Sequence, residues 1–300
     1  MSSKGTGVLY GILAYTAWGL LPLYWKLLKQ ISAYEILAHR IIWSFVFVLM
    51  LVYITKNWDT VKSSFFNRKS MILITMNAFI ITLNWGTYIW AVNAGHVLET
   101  SLGYYINPLV TVLLGMIFLK EKFNHGQKMA LGLAFIGVML MTTQYGKTPW
   151  ISLILAFSFG FYGLIKKLAH VDSVTGLTLE TAIILPFALG FIFFKQWNGV
   201  GAFGNISFFT TILLLLSGVA TATPLLWFAK SAEKIELSTL GFLQYISPTI
   251  TLLLGIFIFH EQFSRAHLIG FGFIWTALII YTLSTTTLKK SQPFIVKSKV

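Results

Sequence analysis

The chain has 300 residues, of which 56% are hydrophobic and only 10% are charged, and its mean hydropathy is +0.77. A soluble domain usually carries about a quarter charged residues, so this composition excludes an ordinary water-soluble fold and indicates a membrane protein. Lys and Arg outnumber Asp and Glu by 22 to 9. The basic residues are spread over short loops, which favours contact with anionic lipid and argues against nucleic-acid binding. Cysteine is absent, which excludes disulfide and thiolate chemistry.

Apolar segments long enough to cross about 30 Å of hydrocarbon follow one another along the chain. We predict ten: Val8–Leu28, Ile36–Ile54, Met71–Val92, Leu98–Leu119, Gln127–Thr143, Pro149–Ile165, Thr175–Phe194, Phe208–Phe228, Leu237–Phe259 and His267–Ser284. All connections are short, so no soluble domain is expected. The sequence therefore predicts an all-α integral membrane protein with ten transmembrane helices.

The basic residues also predict how the chain is oriented in the membrane. Most Lys and Arg residues outside the spans fall on one side if the N-terminus is cytoplasmic, and cytoplasmic loops are enriched in these residues. An even number of spans then places both termini in the cytoplasm. Residues 289–300 are expected to form a basic cytoplasmic tail without regular structure.

An internal repeat relates the fourth and ninth spans. The segment "SLGYYINPLVTVLLGMIFLKEKF" resembles "TLGFLQYISPTITLLLGIFIFHEQF" in one register. The matched pairs include Pro108 with Pro248, Gly115 with Gly255 and Glu121 with Glu261. The repeat unit is thus five spans, residues 5–145 and 146–288, and because five is odd the second copy must lie inverted. Inverted repeats recur in transporters that work by alternating access. We expect the repeated glutamates to act as structural caps.

Proline occurs inside several predicted spans. It removes a backbone donor and frees a carbonyl one turn earlier, so a helix break is expected at each position. The positions are Pro22, Pro108, Pro224 and Pro248. Freed backbone groups are tolerated in lipid only where protein or a wet cavity satisfies them, so the prolines point to a polar site. The alternative is that they only shape packed helices.

Polar and aromatic side chains near these prolines and in the third span are the candidates for solute binding. Asn84 and Tyr88 share one helical face with Trp85 beside them, and an amide, a phenol and an indole can orient a polar or planar solute. An interhelical hydrogen bond with simple packing is the alternative. The candidate set is Trp18, Tyr24, His39, Asn84, Trp85, Tyr88, Tyr105, Asn107, Gln244 and Tyr245.

Three ionisable residues open the second span, in "EILAHRIIWS". Charges inside a membrane usually face a partner or water, so we expect Glu35 at the outer surface and His39 and Arg40 in a water-accessible vestibule. Snorkelling to the outer headgroups is the alternative for Arg40. His39 is also a proton-coupling candidate, because an imidazole titrates near neutral pH.

Glu180, in "GLTLETAIILP", is an acidic residue well inside an apolar run. Intramembrane carboxylates often carry protons in transporters, so Glu180 is the second proton-coupling candidate. A structural salt bridge to Lys166 or Lys167, at the end of the sixth span, is an equally weighted alternative.

Six motifs occurring in order resemble the RarD-type permeases, in the EamA branch of the drug/metabolite transporter superfamily. They are "GILAYTAWGLLPLYWKLL", "EILAHRIIWS", "NWGTYIWAVNAGHVLETSLGYYINPLVTVLLG", "GFYGLIKK", "GLTLET" and "LSTLGFLQYISPTITLLLG" followed by "FHEQF". The likeness runs from about Gly5 to Leu288. It implies ten helices in two inverted five-helix repeats, a bacterial cytoplasmic membrane and secondary transport, often efflux. The resemblance assigns no role to His39, Asn84 or Glu180.

The chain contains no metalloprotease, nucleotide-binding or nucleophile motif, and no loop has room for a nucleotide domain. We therefore expect no enzymatic activity, no metal and no cofactor. The leading hypothesis is a secondary active transporter for a small metabolite or drug-like solute, with proton coupling as a further hypothesis. The alternative is a non-transporting membrane scaffold or partner-binding subunit. The sequence does not indicate an oligomeric state.

Overall fold

The computed structural model describes residues 3–94, 96–143, 148–258 and 265–290. They form the helices α1 (Ser3–Lys26), α2 (Ala33–Thr55), α3 (Trp58–Phe66), α4 (Arg68–Asn93), α5 (Val97–Phe118), α6 (His125–Thr143), α7 (Trp150–Ala169), α8 (Ser173–Trp197), α9 (Phe208–Lys234), α10 (Leu237–Leu243), α11 (Ile246–Phe257) and α12 (Arg265–Lys290). No strand occurs within these ranges. Ten helical segments there are long and apolar enough to cross a membrane, which confirms the predicted all-α fold with ten spans.

Two features of the helix order differ from the expectation. The short helix α3 follows the second span and was not predicted, because it has only nine residues and too few apolar ones to cross a membrane. The ninth span consists of two helices, α10 and α11. At the C-terminus α12 continues to Lys290, while residues 291–300 of the predicted tail lie outside the described ranges.

The spans pack mainly across the two halves of the chain. The main helix contacts are α1 with α9 and α11, α2 with α8 and α9, α4 with α7 and α8, α5 with α7 and α10, and α6 with α12. Exchanging the first five spans with the last five maps this set of contacts onto itself. This is the symmetry that two five-span repeats predict. The larger apolar cluster centres on Tyr15, Tyr162 and Phe228, and a second one on Tyr245 and Phe271.

The contact between α2 and α9 depends on a glycine. A Cβ atom on Gly218 would lie 2.1 Å from the backbone carbonyl carbon of Trp43. The Ser44 hydroxyl donates a hydrogen bond of 3.1 Å to the Gly218 carbonyl across the same contact. The absence of a side chain at position 218 is therefore what allows these two helices to approach.

The ninth span is interrupted next to Pro248. Helix α10 ends at Leu243 and α11 begins at Ile246, so the break includes Gln244. Proline at position 248 has no N–H to donate to the Gln244 carbonyl four residues earlier, which explains where the break falls.

The other three prolines do not interrupt their helices. Helices α1, α5 and α9 are helical on both sides of Pro22, Pro108 and Pro224. The breaks expected at these positions are therefore wrong, because packing around each helix tolerates the missing hydrogen bond. The matched prolines Pro108 and Pro248 thus have different local structures in the two halves.

Glu121 caps α10 from the other half of the chain. Its Oε1 accepts a hydrogen bond of 2.6 Å from the Leu237 N–H, and its Oε2 accepts one of 2.9 Å from the Ser238 N–H. These N–H groups have no partner inside the helix, and the helix dipole favours a negative charge at this end. The predicted structural cap is confirmed for Glu121. Glu261, its counterpart in the repeat, lies outside the described residues.

Replacing Glu121 with Ala is expected to destabilise the protein by about 1 to 2 kcal/mol, because two N–H groups of α10 lose their acceptors. The unfolding temperature of the purified protein in mild detergent measures this. Lys122→Ala is the matched control, since its side chain is exposed one residue away. Equal unfolding temperatures for the two variants would contradict the capping role.

The two ends of the bundle can be named by their contacts. At the Lys4 end, Lys4 pairs with Glu236 at 3.4 Å and Asn57 donates to Asp172 at 3.4 Å. At the Glu35 end, the carboxylate of Glu35 accepts a hydrogen bond from the backbone of the connection between α8 and α9. Helix α4 runs from the Lys4 end to the Glu35 end, and α5 runs back.

Candidate functional site

A cavity lies between α4, α5 and α7. We call it the phenol cavity, because Tyr88 and Tyr104 contribute hydroxyl groups to its wall. Its polar lining residues also include Asn84, Thr100 and Asn107. It lies in the half of the bundle nearer the Glu35 end, where α4 ends and α5 begins.

The two phenols are exposed although buried residues lie near each of them on the same helix. Tyr88 is 37% exposed and Tyr104 is 51% exposed. Tyr88 lies seven residues after the buried Ile81 on α4, and Tyr104 lies one turn before the buried Pro108 on α5. The two phenols also hydrogen-bond to each other. Both exposed phenols belong to the wall of the phenol cavity.

The two asparagines of the phenol cavity are held by hydrogen bonds between helices. The Asn84 amide donates to the Leu155 carbonyl at 2.9 Å and to the Ser158 hydroxyl at 2.8 Å, which ties α4 to α7. Asn107 Oδ1 accepts a bond of 3.0 Å from Gln244 Nε2. The polar clusters predicted at Pro108 and Pro248 therefore meet, and they join α5 to the break in the ninth span.

Arg40 lies on α2 in contact with aromatic rings. Its guanidinium carbon is 4.7 Å from the ring centroid of Trp25 and 5.1 Å from that of Trp85. Its Nε donates a hydrogen bond of 2.9 Å to the Thr221 hydroxyl on α9. The guanidinium is also close enough to Tyr88 and Tyr104 to interact with them electrostatically.

The sequence analysis did not place Arg40 in the candidate set and favoured His39 instead. The two residues are neighbours on α2, and one residue turns the side chain by about 100° around a helix. The available signal was an arginine two turns inside an apolar span, which needs a partner or water. Arg40 satisfies that expectation.

The start of α2 differs from the prediction for Glu35 and His39. Both side chains are only 3% exposed. The connection between α8 and α9 folds over them: the Ala202 N–H donates to Glu35, and the Phe203 ring stacks on His39 with centroids 5.2 Å apart. Lys195 Nζ lies 3.6 Å from the Glu35 carboxylate. The expectations of a surface position for Glu35 and a watery vestibule for His39 are therefore wrong.

Glu180 forms a buried ion pair. Its Oε1 is 2.7 Å from Lys166 Nζ, and the carboxylate is 3% exposed. Tyr162 and Asn77 also donate to it, at 3.3 and 3.4 Å. A second cavity adjoins this group, and Trp85 is among its lining residues. The structure thus contains the salt bridge that the sequence analysis gave as the alternative to proton coupling.

The remaining predicted residues lie in packed surroundings and line neither cavity. Trp18 contacts the rings of Tyr15, Phe159 and Phe228 at centroid distances of 5.5 to 5.7 Å. Tyr24 donates its hydroxyl hydrogen to the Leu213 carbonyl. The buried Tyr245 donates to the Tyr105 carbonyl at 3.4 Å. Within the described ranges no three potential ligands form a metal site.

The ten membrane-crossing segments of the described ranges define the class of protein as a multi-pass membrane protein. The sequence pattern of the EamA-like transporter family matches residues 5–143 and again residues 148–283. The chain therefore belongs to the EamA-like transporter family.

Curated relatives agree with this assignment. The uncharacterized transporter YojE of Bacillus subtilis is 48% identical over 289 residues, which cover 95% of this chain and 96% of the relative. Protein RarD of Escherichia coli is 41% identical over 285 residues, covering 94% and 96%. One solved crystal structure superposes with a TM-score of 0.72 over 95% of this chain and 99% of the other. At 16% identity that likeness shows the fold alone.

These findings confirm several predictions from the sequence. The resemblance to RarD-type permeases is correct, and the protein is a transporter and not an enzyme. It is a multi-pass protein of the bacterial cytoplasmic membrane.

Proposed function

We propose that the protein is a secondary active transporter that moves a small metabolite or drug-like solute by alternating access. The observation that carries the proposal is the phenol cavity between α4, α5 and α7, whose wall includes the exposed phenols of Tyr88 and Tyr104. Transporters of this kind bind their solute near the middle of the membrane, between two repeats. Residues 5–145 and 146–288 are the two repeats in this proposal.

The contacts at the Lys4 end support a state that is closed on that side. Lys167 Nζ donates to the carbonyls of Ala232 and Ile235, which ties the end of α7 to the end of α9. The Glu121 cap and the pair between Lys166 and Glu180 lie in the same half of the bundle. Opening this side requires these contacts to separate, which is the movement that alternating access demands.

The proposed orientation places the Lys4 end in the cytoplasm, because the basic residues between the spans are concentrated there. The phenol cavity then opens toward the outside in this conformation. Both termini are cytoplasmic in this arrangement.

Glu180 and His39 are the residues that we propose for proton coupling. Glu180 supports the proposal better, because it adjoins a cavity between α2, α4, α7, α8 and α9. Neither ring nitrogen of His39 has a hydrogen-bond partner among the described residues, and Phe203 covers the ring. A proton reaches His39 only when that loop moves.

Reconstitution into proteoliposomes tests the transport function. The expected result is saturable, protein-dependent flux of at least one solute from a panel of amino acids, organic acids and aromatic drugs. Tyr104→Trp adds bulk to the phenol cavity and is expected to reduce this flux to a small fraction. Tyr53→Trp is the matched control, because Tyr53 is 72% exposed near the Lys4 end of α2.

Two results would contradict the proposal. One is the absence of saturable flux for every solute in the panel, with or without a pH gradient. The other is equal flux from the Tyr104 and Tyr53 variants, which would place the transport path away from the phenol cavity.

A further inference from the structure

Arg40 is a cation inside a transmembrane segment without an acidic partner in the described part of the chain. None of the ion pairs found there includes it. The carboxylate nearest in sequence, Glu35, is engaged by Lys195 and by the Ala202 N–H. An unpaired charge at this depth is costly and usually faces a functional partner.

The contacts of the guanidinium leave one edge available. Trp25 and Trp85 lie against it, and Nε is used by Thr221. A guanidinium has five N–H donors in a planar fork, and no protein acceptor among the described residues binds its two terminal nitrogens. This edge matches the two oxygens of a carboxylate or phosphate, which bind arginine in bidentate fashion.

The surroundings of Arg40 favour an anion in two further ways. The indoles of Trp25 and Trp85 interact with the guanidinium as cation–π partners and hold its plane in place. Tyr88 and Tyr104 line the phenol cavity and interact electrostatically with the guanidinium, and a phenol can donate to an oxyanion. A cationic solute would meet a like charge at the same place.

We propose that Arg40 is the binding site for an oxyanion on the transported solute, so that the solute is an organic carboxylate or phosphate. This inference rests on the proposed transport function, and it names the chemical class of the solute. The guanidinium binds the oxyanion, Tyr88 and Tyr104 contact it from the cavity side, and Trp25 and Trp85 keep the guanidinium oriented. The bound oxyanion then supplies the counter-charge that Arg40 lacks in the described part of the chain.

The test uses the purified full-length protein in neutral detergent and a matched set of probes. Phenylacetate and phenyl phosphate carry the oxyanion, whereas phenylacetamide is neutral and phenethylamine is cationic. Thermal stabilisation against probe concentration gives an apparent affinity, since a ligand that binds the folded state stabilises it. Flux of the same probes is measured in liposomes of neutral lipid.

The expected result is binding of at least one oxyanion probe and none of the amide or the amine. Arg40→Gln is expected to weaken that binding about 10- to 100-fold, because the oxyanion loses a charged hydrogen-bonding partner. Arg40→Lys keeps the positive charge but loses the planar fork, so it should bind with intermediate affinity and serves if the Gln variant fails to fold. Arg68→Gln is the matched control, because Arg68 is exposed at the start of α4.

The outcomes separate this inference from the proposed transport function. Flux that does not depend on the charge of the solute, or that is unchanged in Arg40→Gln, overturns the oxyanion site but not the proposed transport function. Binding that depends on Arg40, with no saturable flux of any probe or of any solute in the panel, overturns transport and supports the site. If only added phosphatidylglycerol stabilises the protein, Arg40 binds a lipid headgroup, and the proposed solute site is overturned. The oxyanion site is also overturned if neither the probes nor the lipid bind.

Discussion

Replacing Glu180 with Gln is expected to destabilise the folded protein by about 3 to 5 kcal/mol, because the Lys166 ammonium is then buried without its counter-charge. Tyr162 and Asn77 can still contact the amide, so the loss comes mainly from the charge. The unfolding temperature of the purified protein in mild detergent measures the effect. This is the largest change in stability that we expect from any single neutralised charge.

A second substitution separates the structural role of Glu180 from a role in proton coupling. Combining Glu180→Gln with Lys166→Met removes both charges and should restore most of the lost stability. Accumulation driven by a pH gradient in that double variant indicates that Glu180 is structural. If this accumulation is lost while flux down the solute gradient is retained, the result supports proton coupling by Glu180.

The control for this pair is a surface carboxylate. Glu236→Gln breaks the exposed pair with Lys4 and should cost less than about 1 kcal/mol. If Glu180→Gln and Glu236→Gln unfold at the same temperature, the buried pair does not stabilise the bundle.

Gly218→Ala is expected to destabilise the protein by about 3 kcal/mol, since the new methyl group would overlap the backbone of α2. Its Cβ would lie 2.1 Å from the Trp43 carbonyl carbon and 2.5 Å from the Ser44 nitrogen, and backbone atoms cannot rotate away. Helix α9 must shift, which also lengthens the hydrogen bond between Arg40 and Thr221, one turn beyond the glycine. We therefore expect both the unfolding temperature and the solute flux to fall.

Gly132→Ala in α6 is the matched control for this substitution. A Cβ atom there meets nothing within 4 Å, and alanine favours a helix over glycine by about 0.5 to 1 kcal/mol. Its unfolding temperature should be unchanged or slightly higher. The packing argument fails if the two alanine variants unfold alike.

The number of spans could be predicted from the sequence because the hydrocarbon layer imposes a minimum length on every crossing helix. The Glu121 cap could be anticipated because the repeat placed a glutamate at the same point of both halves. The meeting of Asn107 with Gln244 likewise follows from their positions beside matched prolines. These features depend on length and register, which a sequence records directly.

Features that depend on packing between distant segments could not be predicted in the same way. The burial of His39 is due to Phe203, a loop residue more than 160 positions away. No residue near position 39 indicates that contact. Proline in a span does not by itself decide whether the helix breaks, since the ninth span is interrupted before Pro248 while α5 continues through Pro108. The choice of Lys166 as the partner of Glu180 also needed three-dimensional placement.

The contacts of the spans have a consequence for how the protein is made. Because α1, α2, α4, α5 and α6 pack mainly against helices of the second half, the first five spans have few partners among themselves. We therefore expect these five spans to be inserted into the bilayer as separate helices before α7 to α12 follow and pack against them. Assembly is therefore completed after insertion and not half by half. The capping of α10 is one such late contact, because Glu121 belongs to the first half and α10 to the second.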